Sequence, residues 1–581
     1  MNLQNKTGSR SLLTRYFSFL QRRSYGDRFL FHIALIAVFV SLFYVLGIVN
    51  TQYVTSVPSN GGTLVEGIVG TPRFVNPVLS ITRADHDMVA LIYSGLMKLN
   101  EEGTLVPDLA QSIEISENGR TYHVTLKQDI RFHNNDILTT RDFAYTIALI
   151  QNPDLKSPLR GNWDGVLIEE LGEYEFNIIL EEVYAPFMEN LTVGILPRSL
   201  WDELPTEQLP FSQNNTEPIG AGPYKVSDVL RNKSGLINAY ELTVSPYTNE
   251  NPNIDTLVFN FYQNEEELLE ALENKEIAST PSLSPESLSL IDTDTYTIVE
   301  KPLPRTFSIF FNQNKSSALR DKSVREALNV AIDRSELIDT ILFGHGIPIS
   351  TPVPPGFITI ESEDASPILS TDNQTRTEQA KIILEGGGWT QTDKGTWEKE
   401  IDEQPTTLSV VLTTANTPLF DQTATFIVKQ WEALGVQVST DQFEQTDLVQ
   451  AIIRPRSFEA LLFGNDIGRS VDLYPFWHSS QKDDPGLNIA QYANIDTDAL
   501  LEKIRTQTDQ TVRAEAITEF TNIITEEIPA IFLYTPTFSY VIDADVSINA
   551  LYKLSKPYER FENIASWHMT ANNLWPVFNN N

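Results

Sequence analysis

The chain has 581 residues, room for about two to four domains at ~100–200 residues each. Apolar residues make up 41% and charged residues 20%, a globular composition rather than a disordered or fibrous one. Its 42 Lys and Arg face 77 Asp and Glu, a net charge of −35, so a phosphate backbone would repel it and nucleic acid is excluded as a partner. Cysteine is absent, which removes disulfides, thiolate zinc sites, thiol nucleophiles and a cysteine-linked lipid.

The charge is uneven. Residues 1–50 hold six basic side chains (Lys6, Arg10, Arg15, Arg22, Arg23, Arg28) and one acid, Asp27, leaving −40 on the rest. Phe29 to Val49 (FLFHIALIAVFVSLFYVLGIV) is apolar except mainly for His32 and Ser41. Twenty-one residues of helix span ~31 Å, the thickness of a hydrocarbon core. A cleaved signal has a shorter apolar run and a small-residue cleavage site, and GIVNTQYVTSVPSN offers neither. The expectation is an uncleaved single-pass anchor in the lipid bilayer. Its basic segment, residues 1–28, lies in the cytoplasm and the acidic bulk outside.

Residues 50–60 are polar and read as a linker. Gly61 opens an alternating strand, GGTLVEGIVG, and SIEIS–ENGR–TYHVTLK reads as a hairpin turning at Asn118-Gly119. Helices are predicted at Lys322–Phe343, at Thr377–Glu385 before three glycines, at Pro418–Leu434 before Gly435, and at Asp498–Thr506. TLSVVLTT, GVQVST and FEALLF are predicted strands. Two Pro- and Ser-rich stretches, STPSLSPESLSL and GIPISTPVPPGFITIESEDASP, read as surface loops. The mixture is α/β without internal repeats.

Catalytic signatures are missing. The sequence has no GxSxG elbow, Walker loop, HExxH or EF-hand loop. Its seven histidines (32, 86, 123, 133, 345, 478, 568) stand singly, without metal-ligand spacing. Acidic pairs such as Glu265–Glu267 and Glu526-Glu527 read as solvated helix faces. No cofactor is called for, and the chain is expected not to be an enzyme.

Several blocks, in order, carry a resemblance. The stretch from GGTLVEGIVGTPRFVNPVLS through LVPDLAQSIEIS to IRFHNNDILTTRDFAYTI is the first. PIGAGPYKVSDV, LRDKSVREALNVAIDRSELI, PAIFLYTP and RFENIASWHM follow. Together, from about Gly61 to Trp575, they resemble the extracytoplasmic solute-binding proteins of ABC importers, dipeptide/oligopeptide-binding family (solute-binding family 5). The residues have scaffold readings too: Gly220, Gly222 and Pro223 as a rigid turn feeding Tyr224 into a strand, and Val324, Leu328 and Ala331 as a buried helical stripe.

The resemblance implies a two-lobed, periplasmic-binding-protein-like (type II) α/β clamp with an extra subdomain. Lobe I would comprise 61–98, 217–305 and 540–581, with its subdomain at 99–216, and lobe II would be 306–539. Ligand would lie between the lobes and be buried by hinge closure. The resemblance also places an aspartate that holds a ligand ammonium in a glycine-rich loop of lobe II. FGNDIGRSVDLYPFWHSS matches that loop, making Asp466, beside Asn465, the position carried over; an Asx turn before Gly468 is the alternative. Arg469 departs from the family pattern, and would either pair with Asp466 or meet a ligand carboxylate. Phe74 and Asn76 (after the first strand), Asn312 (in FFNQN), and Trp477 with His478 complete the candidates, with core packing the alternative for Trp477.

The function expected is membrane-anchored capture of oligopeptides or similar polar solutes outside a bacterial cell, with delivery by a monomeric protein to ABC permease subunits. A non-transport binding module or chaperone on the same fold is the alternative, and an extracellular hydrolase is less favoured.

Overall fold

A computed structural model describes residues 24–53, 55–248, 250–358, 373–549 and 553–574. Most of the basic N-terminal segment, through Arg23, lies outside these residues, as do 359–367 of the second Pro- and Ser-rich stretch and Trp575. The chain divides into two compact units, residues 1–59 with 570–581, and 60–569.

In the first unit, Tyr25–Tyr53 is one helix. Its apolar window Tyr25–Ile48 has none of its residues buried, so a long hydrophobic surface is left for another phase to cover. The linker expected at 50–60 is instead structured: the helix continues to Tyr53, and Thr55–Ser59 pairs antiparallel with Thr570–Leu574, Thr55 opposite Leu574. A strand whose partner lies some five hundred residues away leaves no local periodicity to read.

The second unit is organised on a twelve-stranded mixed sheet. Its hub is the strand Ala530–Asp543. The first half, Ala530–Tyr534, pairs with Arg305–Phe311, and the second half, Thr537–Asp543, pairs with Tyr296–Pro302. The chain thus passes twice between two halves, at Leu303-Pro304 and near Pro536. On one side, which we call lobe I, Thr63–Val69 and Thr256–Tyr262 run parallel and the sheet ends in the meander of Ile237–Val244 and Tyr224–Arg231. On the other side, lobe II, Ser409–Ala415 and Gln437–Phe443 run parallel around the crossing helix Pro418–Leu434.

The apolar cores respect this division. One large core draws on Leu64 to Leu303 and Phe538 to Trp567, while two others lie within Phe307–Tyr534. The predicted hairpin forms between Ala110–Ile115 and Thr121–Leu126. It belongs to a four-stranded sheet, completed by Leu167–Glu170 and Glu175–Ile179, that shares the lobe I core.

Local chemistry explains where elements stop. Gly435 ends the helix Pro418–Leu434 with φ +99°, where a Cβ would also meet the Gly395 carbonyl oxygen at 2.3 Å. The helix expected over Lys322–Phe343 is broken into Lys322–Ala331 and Arg334–Ile341, because the Asp333 carboxylate caps the second by accepting from the Glu336 amide at 3.0 Å. Gly220 and Gly222 serve close approach rather than turn strain. A Cβ on Gly220 would lie 2.1 Å from the Ile92 carbonyl oxygen, and the Gly222 amide donates to that same carbonyl at 2.8 Å.

Lobe I holds a fully buried ion network. Arg560 clasps Asp87 with both terminal nitrogens at 2.8 Å and reaches Glu66 at 2.5 Å. The Tyr540 hydroxyl donates to Glu66 at 2.6 Å, and the guanidinium lies 4.0 Å from the Phe561 ring centre. Burial raises the Glu66 pKa despite Arg560 beside it. Replacing Arg560 by Leu strands two carboxylates out of water, so urea unfolding of R560L is expected to show a loss of about 3–5 kcal/mol. A loss below about 1 kcal/mol would mean that solvent reaches these acids.

Candidate functional site

A cavity of about 320 Å³ lies where both lobes contribute residues. Lobe I supplies nearly all of the wall. The helix Arg83–Ile92, capped by Thr82 with a reciprocal Asp85 contact, presents His86 and Val89. The stretch after it contributes Tyr93, Ser94, Gly95 and Met97 to Leu99, and the turn Ala185–Thr192 contributes Glu189. The turn Pro557–Phe561 and its flanks add Ser555, Lys556, Tyr558, Glu559 and Glu562. Lobe II reaches the cavity through Gly468 and Arg469, in the loop directly after the strand Ala460–Asp466.

Charged bonds close the gap between the lobes. Arg469 donates to Glu559 at 2.5 Å and to the Gly103 carbonyl at 3.1 Å. Lys556 donates to Asp466 at 2.8 Å. The Tyr184 hydroxyl donates to Asp472 at 3.2 Å, and the Arg505 guanidinium lies 5.2 Å from the Tyr184 ring centre. Lys553 donates to the Phe357 carbonyl at 3.1 Å. Charge-assisted bonds of this kind are short, directional and strongest where water is excluded.

The electrostatics of the wall are dominated by burial. It pushes Glu562 up to about 8, with Glu559 adding repulsion. It also pushes Glu189 up to about 7 although Arg469 opposes the rise. Glu559 and Asp108 are raised for the same first reason, and burial lowers His86. Asp466 behaves oppositely. Burial would raise it, but Lys556, Arg305 and the Gly468 amide outweigh that and hold the carboxylate below its usual range.

Of the residues singled out from sequence, Arg469 lines the cavity. Asp466 sits two residues before the lining Gly468 and makes the Asx turn while also holding two of the chain's own cations. One oxygen takes the Gly468 amide at 3.2 Å as an Asx turn, while the other receives cations, Lys556 at 2.8 Å and Arg305 at 3.2 Å. Arg469 does not pair with Asp466. Glu559 holds it, because Lys556 and Arg305 already neutralise Asp466. Asn465 is buried in its strand opposite Thr306.

The remaining candidates are not among the residues lining the cavity. The Phe74 amide donates to Asp85 at 2.8 Å. The Asn76 side chain bridges Asn215 and the Val78 amide. Asn312 donates to the Arg456 carbonyl at 2.9 Å. Trp477 is packed in a lobe II core among Phe310, Tyr492, Phe520 and Phe532. His478 stacks on Tyr474 and bonds to Ser480. The turn Lys556–Glu562 went unrecognised as site-forming. Its signal was the density of charge among aromatics in KPYERFE, and no spacing rule distinguishes that from a solvated turn.

The comparisons fit this geometry. Residues 104–486 match the family model for bacterial extracellular solute-binding proteins, family 5 Middle. The chain is 26% identical over 486 residues to the oligopeptide-binding protein AppA of Bacillus subtilis, covering 82% of this chain and 87% of that protein. The structure of that protein in complex with a nonapeptide superposes with a TM-score of 0.66 at 25% identity, covering 88% of this chain and all of the other. The substrate-binding protein CtaP of an ABC transporter from Listeria monocytogenes, 23% identical, shares the fold with a TM-score of 0.71 over 88% of this chain and 99% of that one. With its two lobes, a cavity to which both contribute, and a family match across well over half its length, the chain belongs to the family 5 bacterial extracellular solute-binding proteins.

Proposed function

We propose that this protein captures short oligopeptides outside the cell in the cavity between its lobes and hands them, unchanged, to an ABC permease in the membrane that its N-terminal helix spans. The observation that carries the reading is the cavity itself. Its walls come from both lobes, and the bonds that close it, Arg469 to Glu559 and Lys556 to Asp466, join one lobe to the other. A clamp needs such contacts, because only interactions present in one state shift the equilibrium between open and closed. The two crossings of the chain, at Leu303-Pro304 and in the strand Ala530–Asp543, are natural hinges for that motion.

The peptide assignment is supported by the relatives, one named for binding oligopeptides and solved with a nonapeptide. The cavity is at the small end of the ~300–1,000 Å³ typical of ligand pockets, which favours short peptides in this closed form. A set of polar groups supplied mainly by one lobe would bind first, and the loop carrying Arg469 would then fold over the guest.

Two outcomes are expected. Changing Arg469 to Ala removes the lobe II half of a desolvated pair, so peptides that co-purify with the wild type should be held at least about tenfold more weakly, with a larger radius of gyration by small-angle X-ray scattering. Unchanged affinity and shape would mean that this pair does not govern closure. The anchor is tested by washing membranes with alkaline carbonate. The full chain should stay in the pellet and be degraded by protease added outside, whereas a soluble product beginning after residue 49 would identify a cleaved signal instead.

A further inference from the structure

We propose that the solute carries a cationic side chain, ending in an ammonium or guanidinium and distinct from a peptide's α-ammonium, and that the corner of the cavity formed by Asp108, Glu250 and Glu562 receives it. This rests on the solute-capture reading above and adds a substrate class to it.

Several charges around the cavity already have partners. Arg469 is held by Glu559 and the Gly103 carbonyl, and Lys556 by Asp466. Lys98 pairs with Glu250. It is the cation that Asp108, Glu250 and Glu562 all feel, while Lys127 acts on Asp108 alone and Ser94 hydrogen-bonds to it, so Lys98 is the one ammonium that the three acids share. Neither Asp108 nor Glu562 makes an ion pair among the described residues. Glu562 accepts the Leu99 amide at 3.3 Å. Burial, with repulsion from Glu559, drives Glu562 to about 8, and burial raises Asp108, so both acids are held toward their protonated forms. A guest cation placed between them would favour their charged forms and gain an ion pair from each.

A second observation points independently to a guest. Ser555 lines the same cavity, is 3% exposed, and its hydroxyl has no hydrogen-bond partner. Buried hydroxyls are nearly always satisfied, so this one is left for what occupies the chamber. Space agrees with a long cationic side chain, since Lys98, Leu99, Glu250 and Glu562 also border a second hollow of about 230 Å³, into which such a group would extend. A metal ion is the wrong cation here: no three His, Asp or Glu side chains converge as ligands among the described residues.

The test compares two dipeptides of the same shape, Ala-Arg and Ala-citrulline, with Ala-Glu as the opposite charge, by calorimetry on the full-length chain in detergent. Ala-Arg is expected to bind at least about tenfold tighter than Ala-citrulline, as a charged hydrogen bond implies, and Ala-Glu weakest. E562Q, or D108N should E562Q fold poorly, is expected to shrink the Arg-to-citrulline ratio to about threefold or less. Equal binding of the wild type to Ala-Arg and Ala-citrulline, or tighter binding of Ala-Glu, overturns the proposal. If uncharged peptides bind and cationic ones gain nothing, solute capture stands and the cation preference falls. If no peptide of any kind binds, both fall.

Discussion

The clasp of Arg560 on Asp87 and Glu66 is the interaction on which the rest of lobe I depends. It is completely buried and ties the turn Pro557–Phe561 to the helix Arg83–Ile92 and the central strand Thr63–Val69. The neighbours of Arg560 in sequence point elsewhere. Lys556 and Glu559 reach across to lobe II, and Glu562 faces the cavity. One pinned guanidinium thus aims three charged side chains at once. A buried ion network is seldom the most stable filling for a core, but where its geometry is required it gives a turn one position rather than several. Here that position sets the register between the lobes.

The contrast between what holds each lobe together and what joins them has a mechanical consequence. Each lobe is built on its own close-packed apolar core, with Trp431 and Trp477 in lobe II and Trp163, Trp201 and Trp567 in lobe I all nearly fully buried. Between the lobes run ion pairs and hydrogen bonds, among them Arg469 to Glu559, Lys556 to Asp466 and Tyr184 to Asp472. Packed cores deform little, whereas polar interfaces between domains exchange their bonds for water at small net cost. Opening therefore belongs to the charged contacts and the two crossings of the chain, and each lobe moves as a block.

Much of the architecture was legible in the residues. The apolar run Phe29–Val49, the Asn118-Gly119 hairpin and the helix Pro418–Leu434 stopped by Gly435 all lie where periodicity and capping chemistry put them. The ordered motifs pointed to the family. The site was far less legible, and the reason is physical. A loop Asn or Asp looks the same in sequence whether it meets a ligand or closes a turn. Asn76 and Asn312 close turns, bonding to groups up to 144 residues away. The pairing of Arg560 with Glu66 spans 494 residues, and no local pattern encodes it. Lys98, Asp108, Glu250 and Glu562 come from four separate segments and become a corner only in the fold.

Asp466 shows how the same charge serves two states. In the closed form it is neutralised by Lys556 from the opposite lobe and by Arg305 from the neighbouring strand. Swinging the lobes apart must break the Lys556 contact, because that ammonium travels with lobe I, while Arg305, paired in register with Asp466 itself, travels with it. The open form therefore keeps Asp466 half-compensated and leaves Lys556 to water, so closure restores a bond whether or not a guest is present. A clamp with such a built-in cation closes partly on its own account. On the proposed reading, the guest then need not supply a group for Asp466, and its recognition passes to Asp108, Glu250 and Glu562 in lobe I.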